Sequence, residues 1–323
     1  MKLFKNPLST EDYSDPFIVY DNKTEYYYFI PSCQSDEMTI FRSKSIGNII
    51  TEGEKKVVYT CDRKQVFGPM WAPEMLKVGD RWYIYTSCQE IYTGSLGEVK
   101  RLLIVKSKTE DPLDGFEFGS KPDTSIFAID PTSAIINGKQ YICYSEVSKT
   151  DGVQVLVIRE MSDPLTFTEH LAEIARPYYD WELVEPHSSD YVAINEGAYF
   201  IQRNGRIFIV YSANGCFMDD YCLGIMEYTC GDICDASSWK KYPNPLLKKG
   251  NGVYGVGHAA FFDSPDKKEI WCVYHCLVRS NPTGEWCPRN VCAQKIDFDE
   301  TGFPVFGDPV GFGIEIEQPA EQK

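Results

Sequence analysis

The sequence predicts an all-β protein, a five-bladed β-propeller whose four-stranded antiparallel blades surround a central channel. Three observations lead to this prediction: a hairpin pattern recurs five times, its copies are evenly spaced, and further strand-like runs separate them. Short antiparallel sheets repeated radially form propellers, and the number of copies sets the number of blades. We expect residues 1–323 to form one such domain.

Each copy of the hairpin starts at a polar residue, continues as a short apolar strand, turns, and returns as an aromatic-rich strand. The leading polar residues are Asp15, Glu74, Asp130, Glu196 and His258. They are 59, 56, 66 and 62 residues apart, so the repeat is about sixty residues long. That length leaves room for four short strands in every copy.

The turns and the stretches between copies agree with this pattern. Four hairpin turns carry residues that tight turns favour, and the fifth spans residues 263–268. The four are Asp21-Asn22, Gly79-Asp80, Asn137-Gly138 and Asn204-Gly205. Further strand-like runs cover residues 102–106, 154–159 and 222–228, and they predict additional strands within the blades.

Composition and charge exclude several classes of function. The chain is 43% hydrophobic and 14% aromatic, which is ample for a folded core. Its net charge of −15 repels nucleic-acid phosphates and anionic membranes, so we expect neither partner. No run of 18 apolar residues is present.

The N-terminus and the cysteines predict a cytoplasmic location. The first sixteen residues contain no apolar run that would serve as a secretory signal. Several of the twelve cysteines, among them Cys88, Cys143, Cys272 and Cys276, fall inside apolar strand patterns, where reduced cysteine behaves as a small hydrophobe. We therefore expect reduced thiols and a reducing compartment.

Three of the repeats bring a carboxylate to one end of the predicted channel. The innermost strand of each blade lines the axis, so Asp15, Asp130 and Glu196 should meet there although they are far apart in sequence. Hydrolysis of an acetal needs one carboxylic acid to protonate the leaving oxygen and one carboxylate on the other side of the bond. A third carboxylate would raise the pKa of the acid by repulsion between like charges. The alternative is that these residues are turn acids facing water.

Six short segments, taken in order and spacing, resemble glycoside hydrolase family 43 along nearly the whole chain. They are Ser14-Asp15-Pro16, Met70-Trp71-Ala72-Pro73-Glu74, Ala128-Ile129-Asp130, Asn195-Glu196-Gly197, Gly257-His258 and Val273-Tyr274-His275. The resemblance implies that Asp15 is the general base and that Glu196 is the general acid. It also implies that Asp130 tunes the pKa of the acid and orients it.

Within that family the chain looks most like exo-acting α-L-arabinofuranosidases that trim α-1,5-linked arabinan. The segments that carry this likeness are residues 178–182, 208–213, 221–224 and 253–255. The implied activity is an inverting exo-glycosidase releasing terminal L-arabinofuranose from arabino-oligosaccharides. The alternatives are a β-xylosidase, an enzyme with both activities, and a sugar-binding propeller with an inactive site.

Three further residues are candidates for substrate binding. Trp71 could stack on a sugar ring or pack in the core, and Arg289 could reach sugar hydroxyls or form a surface ion pair. His258 could bridge to the sugar, hold a central cation such as Ca²⁺, or form an ordinary channel hydrogen bond. We expect no required cofactor. Glu74 has no implied role in proton transfer, and we expect it to bind backbone amides.

Overall fold

A computed structural model describes residues 3–90, 99–125, 127–184 and 192–321 and confirms the five-bladed propeller. In each blade four consecutive strands pair antiparallel in chain order, and the first strand is the innermost. Blade 1 contains β2 (Phe17–Asp21), β3 (Tyr26–Ile30), β4 (Glu37–Ser43) and β5 (Glu54–Thr60). Blade 2 contains β6 (Phe67–Val78), β7 (Arg81–Gln89), β8 (Lys100–Ser107) and β9 (Phe116–Ser120).

The remaining blades follow the same order. Blade 3 contains β10 (Ala128–Ile136), β11 (Lys139–Val147), β12 (Gln154–Asp163) and β13 (Thr166–Ala175). Blade 4 contains β14 (Asn195–Arg203), β15 (Arg206–Ala213), β16 (Cys222–Tyr228) and β17 (Trp239–Lys241). Blade 5 contains β18 (Tyr254–Asp263), β19 (Ile270–Leu277), β20 (Asn290–Phe298) and β21 (Pro304–Val305).

The connections between strands are short and irregular. The part of the chain that the structure describes has no α-helix, and its four 3-10 helices are single turns. They are Ile46–Asn48, Pro112–Asp114, Asp180–Glu182 and Ala236–Ser238. None of the described helices is long and apolar enough to cross a bilayer.

The predicted hairpin turns form as expected. Asn137-Gly138 and Asn204-Gly205 both join inner strands to second strands, and both residues of each pair have positive φ. Two successive left-handed residues define the type I′ turn, whose twist matches that of the flanking strands. The sequence therefore determines the register of these two hairpins locally.

The ring is closed by contacts between β18 and β2 and by the N-terminal segment. Strand β1 (Leu3–Lys5) pairs with β22 (Glu315–Glu317) near the C-terminus. Beyond it, the Leu8 amide donates to the Val291 carbonyl at 2.7 Å, along the third strand of blade 5. Both ends of the described chain are thus tied to the blade that completes the circle.

Apolar side chains fill the spaces between neighbouring blades. One cluster joins blades 1, 2 and 5, a second blades 4 and 5, a third blades 3 and 4, and a fourth blades 2 and 3. Because each blade is packed against its neighbours in this way, the starts of the inner strands are held in a fixed ring.

A left-handed residue stands at the start of every inner strand. These residues are Asp15, Ala72, Asp130, Gly197 and His258, with φ of +52°, +46°, +55°, +55° and +47°. In blades 2 to 5 the strand pairing shifts register at this point, as in a β-bulge. Bulges redirect side chains beside functional sites, and here they do so at one end of the channel.

This structural equivalence corrects the alignment of the repeats. In blade 2 the equivalent residue is Ala72, and Glu74 lies two residues further into the strand. In blade 4 it is Gly197, so Glu196 is the residue just before the bulge. The backbone conformation, which polarity does not reveal, is what the five repeats share.

Candidate active site

All six predicted site residues line one cavity of about 260 Å³ at the start of the inner strands. They are Asp15, Trp71, Asp130, Glu196, His258 and Arg289, and the lining also includes Gln34, Ile129, Cys216, Phe217 and Trp286. Another depression on the molecule reaches about 350 Å³, so volume does not single this cavity out. The three buried carboxyl groups do.

Asp15 is surrounded by two histidines, an arginine and a serine hydroxyl. Its Oδ1 lies 3.3 Å from His275 Nδ1, 3.4 Å from His258 Nδ1 and 3.5 Å from an Arg289 guanidinium nitrogen. The Ser32 hydroxyl donates to Oδ2 at 2.5 Å. Burial opposes ionisation, but His258, Arg289 and His275 together lower the pKa of Asp15 well below its usual range. Asp15 is therefore a carboxylate at neutral pH.

Glu196 has the opposite electrostatic environment. Tyr221 donates to Oε1 at 3.0 Å and Gln154 donates to Oε2 at 2.9 Å. Burial is the main cause that raises the pKa of Glu196 to about 7; these hydrogen bonds lower it, and the charge of Asp15 raises it. At neutral pH a large fraction of Glu196 therefore carries a proton that it can donate.

Asp130 connects the two sides of the site. Its Oδ2 accepts a hydrogen bond from the Gly197 amide at 3.1 Å and lies 3.7 Å from His258 Nδ1. Burial, and then the charges of Glu196 and Asp15, raise the pKa of Asp130 well above its usual range. The ionised form of Glu196 therefore disfavours the ionised form of Asp130.

Gly197 is required at its position for two reasons. Its φ is +55°, which disfavours any residue with a Cβ. A Cβ there would also lie 3.0 Å from His258 Nδ1 and 3.2 Å from Ser212 Oγ. Glycine thus lets the blade 4 backbone approach His258 closely, and Glu196 is the residue that this approach positions.

The three predicted binding residues occupy different parts of the cavity wall. Arg289 is buried, and its guanidinium lies 4.9 Å from the ring centre of Phe217. Trp71 is partly buried, with the Lys100 ammonium 3.5 Å from its ring centre. His258 is buried, and burial lowers its pKa, so it is neutral at neutral pH. Arg289 is therefore not a surface ion pair, and Trp71 is a wall residue of the cavity.

A second layer of buried polar groups holds Asn195, the neighbour of Glu196. Glu182 is fully buried and accepts hydrogen bonds from Asn195 Nδ2 and the Tyr211 hydroxyl, each at 3.0 Å. The Lys241 ammonium lies 2.6 Å from the same carboxylate and donates to Asn195 Oδ1 at 3.0 Å. The segment 178–182, noted in the sequence for its family likeness, contributes this anchor.

Sequence reasoning missed several functional groups. Tyr221 and Gln154 contact Glu196, yet they lie 25 and 42 residues from it, so no local pattern joins them. His275 belongs to the Val273-Tyr274-His275 motif, for which the sequence predicted no role, and the structure places it beside Asp15. Glu74 does not bind backbone amides within the described chain; its partner is the Thr132 side chain, and burial raises its pKa well above the usual range.

Comparison with protein families agrees with the fold and the site. The model of the family "Glycosyl hydrolases family 43" matches residues 4–304. The chain belongs to this family of glycoside hydrolases.

Among curated proteins, the relatives are arabinofuranosidases. An "Extracellular exo-alpha-(1->5)-L-arabinofuranosidase" of Streptomyces avermitilis is 30% identical over 96% of this chain. The match spans 64% of that relative's length, so this chain covers less than two thirds of it. A protein of the same name from Streptomyces chartreusis is 28% identical over 87% of this chain and 85% of its own length.

Solved structures agree on the fold. An α-L-arabinofuranosidase from Lactobacillus brevis superposes with a TM-score of 0.84 at 24% identity, covering 96% of this chain and 98% of that one. A thermostable family-43 glycoside hydrolase superposes with a TM-score of 0.80 at 22% identity, covering 99% and 100%.

The expected cytoplasmic location is wrong by this comparison, because both Streptomyces relatives are named as extracellular enzymes. The expectation was wrong because it inferred the compartment from the cysteines. All twelve cysteines are free, and nine of them are buried as small apolar side chains. Such thiols report how the blades pack and carry no information about the compartment.

Proposed function

We propose that the chain is an inverting exo-glycosidase that releases terminal L-arabinofuranose from α-1,5-linked arabino-oligosaccharides or arabinan side chains. The observation that carries the proposal is the opposite ionisation of two buried carboxyl groups in one cavity. The pKa of Asp15 is lowered well below its usual range, whereas the pKa of Glu196 is raised to about 7. One group is thus suited to be a base and the other an acid.

In the proposed reaction, Asp15 takes a proton from a water molecule that attacks the anomeric carbon. Glu196 gives its proton to the glycosidic oxygen as that bond breaks. Asp130 positions the acid through the Gly197 amide. When ionised, Asp130 would also disfavour the ionised form of Glu196 through repulsion between like charges. Arg289 holds Asp15 ionised and offers guanidinium donors to sugar hydroxyls, and Trp71 and His258 form the wall around the ring.

The size of the cavity supports removal of one sugar at a time. Pockets for drug-sized ligands span roughly 300–1,000 Å³. A volume of about 260 Å³ falls just below that range and suits a single pentose residue. The names of the relatives support arabinofuranose as that residue.

A central cation is part of the proposal as an accessory group. His258 Nδ1 faces Asp15 and Asp130, which leaves Nε2 as the nitrogen of His258 that could hold a cation. A second candidate ligand is His275 Nε2, which is buried and has no hydrogen-bond partner among the described residues. When bound, a cation there would add positive charge beside Asp15 and favour its ionised form.

Product analysis on linear α-1,5-arabino-oligosaccharides tests this function. We expect each step to release one arabinose and leave a chain shorter by one residue, and we expect faster cleavage of nitrophenyl α-L-arabinofuranoside than of the β-xyloside. Internal cleavage into biose and triose would contradict exo action. Preferential release of xylose would instead identify a β-xylosidase, and binding without turnover would identify an inactive sugar-binding propeller.

A further inference from the structure

The mouth of the catalytic cavity carries an exposed tryptophan that the catalytic roles leave unused. Of the described residues that line the cavity, only Gln34 and Trp286 are exposed to solvent, and 69% of Trp286 is accessible. The other five tryptophans are buried or partly buried. In the described part of the chain, the Trp286 indole has neither a hydrogen bond nor an aromatic partner. No hydrogen bond or ring contact within the described residues accounts for a large exposed ring beside the cavity.

The segment that carries Trp286 is tied down on the cavity side. Asp219 is buried and accepts two hydrogen bonds of 2.5 Å, from the Ser280 hydroxyl and from the Asn281 amide. The Asn281 side chain donates to the carbonyls of Phe217 and Glu285, both at 2.7 Å. These bonds join the 279–288 segment to the turn that bears two other wall residues, Cys216 and Phe217.

The position of Trp286 at the mouth matches where the rest of the substrate must lie. The cleaved sugar fills the cavity next to Glu196, and the glycosidic oxygen must reach that acid. The sugar beyond the oxygen therefore leaves through the mouth, where Trp286 is exposed. An aromatic ring presents an apolar face, and it buries a large area at low conformational cost.

We propose that Trp286 forms the binding subsite for the sugar on the leaving side of the cleaved bond, and so sets the preference for oligosaccharides over short substrates. This inference rests on the proposed function. Because the 279–288 segment is already anchored through Asp219 and Asn281, the platform is formed before the substrate arrives.

The test compares the full chain with Trp286→Ala and Trp286→Phe on α-1,5-arabinotriose, with inhibition by free arabinose measured alongside. We expect the alanine variant to lose about tenfold in kcat/KM on the triose, equal to about 1.4 kcal/mol, mainly through KM. The arabinose inhibition constant should stay unchanged, because that sugar fills only the inner cavity. The phenylalanine variant should recover most of the loss. Phe118→Ala, on an exposed side chain of β9, is the control and should behave as the wild type.

Unchanged triose kinetics in Trp286→Ala would overturn the inference. An equal weakening of arabinose inhibition would also overturn it, since Trp286 would then contact the cleaved sugar. The wild-type protein tests the proposed function separately, through the sugar that it releases. If the wild type releases xylose and not arabinose, the same variants are compared on xylotriose with xylose as the inhibitor. A loss confined to xylotriose supports the subsite, and no loss refutes it.

Discussion

At the scale of single residues, the site depends on two carboxyl groups held at different pKa values in one small cavity. Asp15 lies among His258, His275 and Arg289, whereas Glu196 has only neutral hydrogen-bond donors from Tyr221 and Gln154. Burial opposes the ionisation of both groups, so the charges and hydrogen-bond donors around Asp15 make the difference.

Replacing the proposed acid tests its role directly. Glu196→Gln keeps the size and both contacts but cannot donate a proton, so hydrolysis of arabino-oligosaccharides should fall by about 10²–10⁴-fold. Activated aryl arabinofuranosides need little protonation and should lose much less. Steady-state kinetics on both substrates measure the contrast, and an equal loss on the two would show that Glu196 is not the acid.

The role of Asp130 can be read from pH dependence. With the pKa of Glu196 at about 7, the wild-type kcat/KM should fall as pH rises through that value, because the acid is then deprotonated. Asp130→Asn removes a like charge, which lowers the pKa of Glu196, so this limb should move to lower pH. If Asp130→Asn left both the kcat/KM value and its pH dependence unchanged, Asp130 would be a purely structural residue.

At the scale of single elements, the left-handed residue at the start of each inner strand is what turns a repeat into a site. Left-handed backbone for a non-glycine residue costs of the order of 1–3 kcal/mol. Asp15, Asp130 and His258 all adopt it at the start of an inner strand, where their contacts with one another stabilise it. The strain therefore lies where the proposed catalytic groups converge.

Substitutions at Gly197 and Gly205 separate the cost of left-handed backbone from the cost of a close contact with His258. Gly197→Ala adds both left-handed strain and a Cβ 3.0 Å from His258, so it should lower the free energy of unfolding by about 2–4 kcal/mol and reduce activity strongly. Gly205→Ala, in the turn of the same hairpin, has φ of +75° and open space around the new Cβ. It should cost about 1–2 kcal/mol and leave activity intact. Denaturant unfolding compares the two, and equal losses would show that the approach to His258 does not matter.

A second element-scale feature is the Glu182–Lys241 pair beneath Asn195. Removing one partner of a buried ion pair leaves an unpaired charge and typically costs about 3–5 kcal/mol. Glu182→Ala should therefore destabilise the protein by that amount, and adding Lys241→Met should restore part of it. Chemical denaturation of the single and double variants decides this; a double variant less stable than the single one would mean that the pair is not the main interaction.

At the scale of the whole molecule, the sequence predicts the architecture better than it predicts the contacts. Asn-Gly turns and aromatic second strands are local signals, so blade number and hairpin register follow from them. The polarity of the residues does not show where the bulges lie. For this reason the sequence pattern aligned Glu74 with Asp15, although Ala72 is the residue equivalent to Asp15.

The second layer of the site escapes local reasoning for a similar cause. Tyr221 and Gln154 reach Glu196 from other strands, and Lys241 reaches Glu182 across 59 residues. Only the closed ring brings such residues together. The three carboxylates were foreseeable because each stands near the start of an inner strand, which the repeat locates.

The central claim is that Asp15 acts through water on the side of the sugar opposite to Glu196, from the first and fourth blades of the ring. Carboxyl groups roughly 6.5–9.5 Å apart leave room for that water and give inversion, whereas about 5–5.5 Å gives retention. Proton NMR during early hydrolysis of an α-L-arabinofuranoside measures the outcome. With inversion, the β-anomer of arabinose appears first and the α-anomer only with mutarotation. Early α-anomer, or transfer to methanol with retained configuration, would show that Asp15 attacks the anomeric carbon itself and would contradict the inverting mechanism.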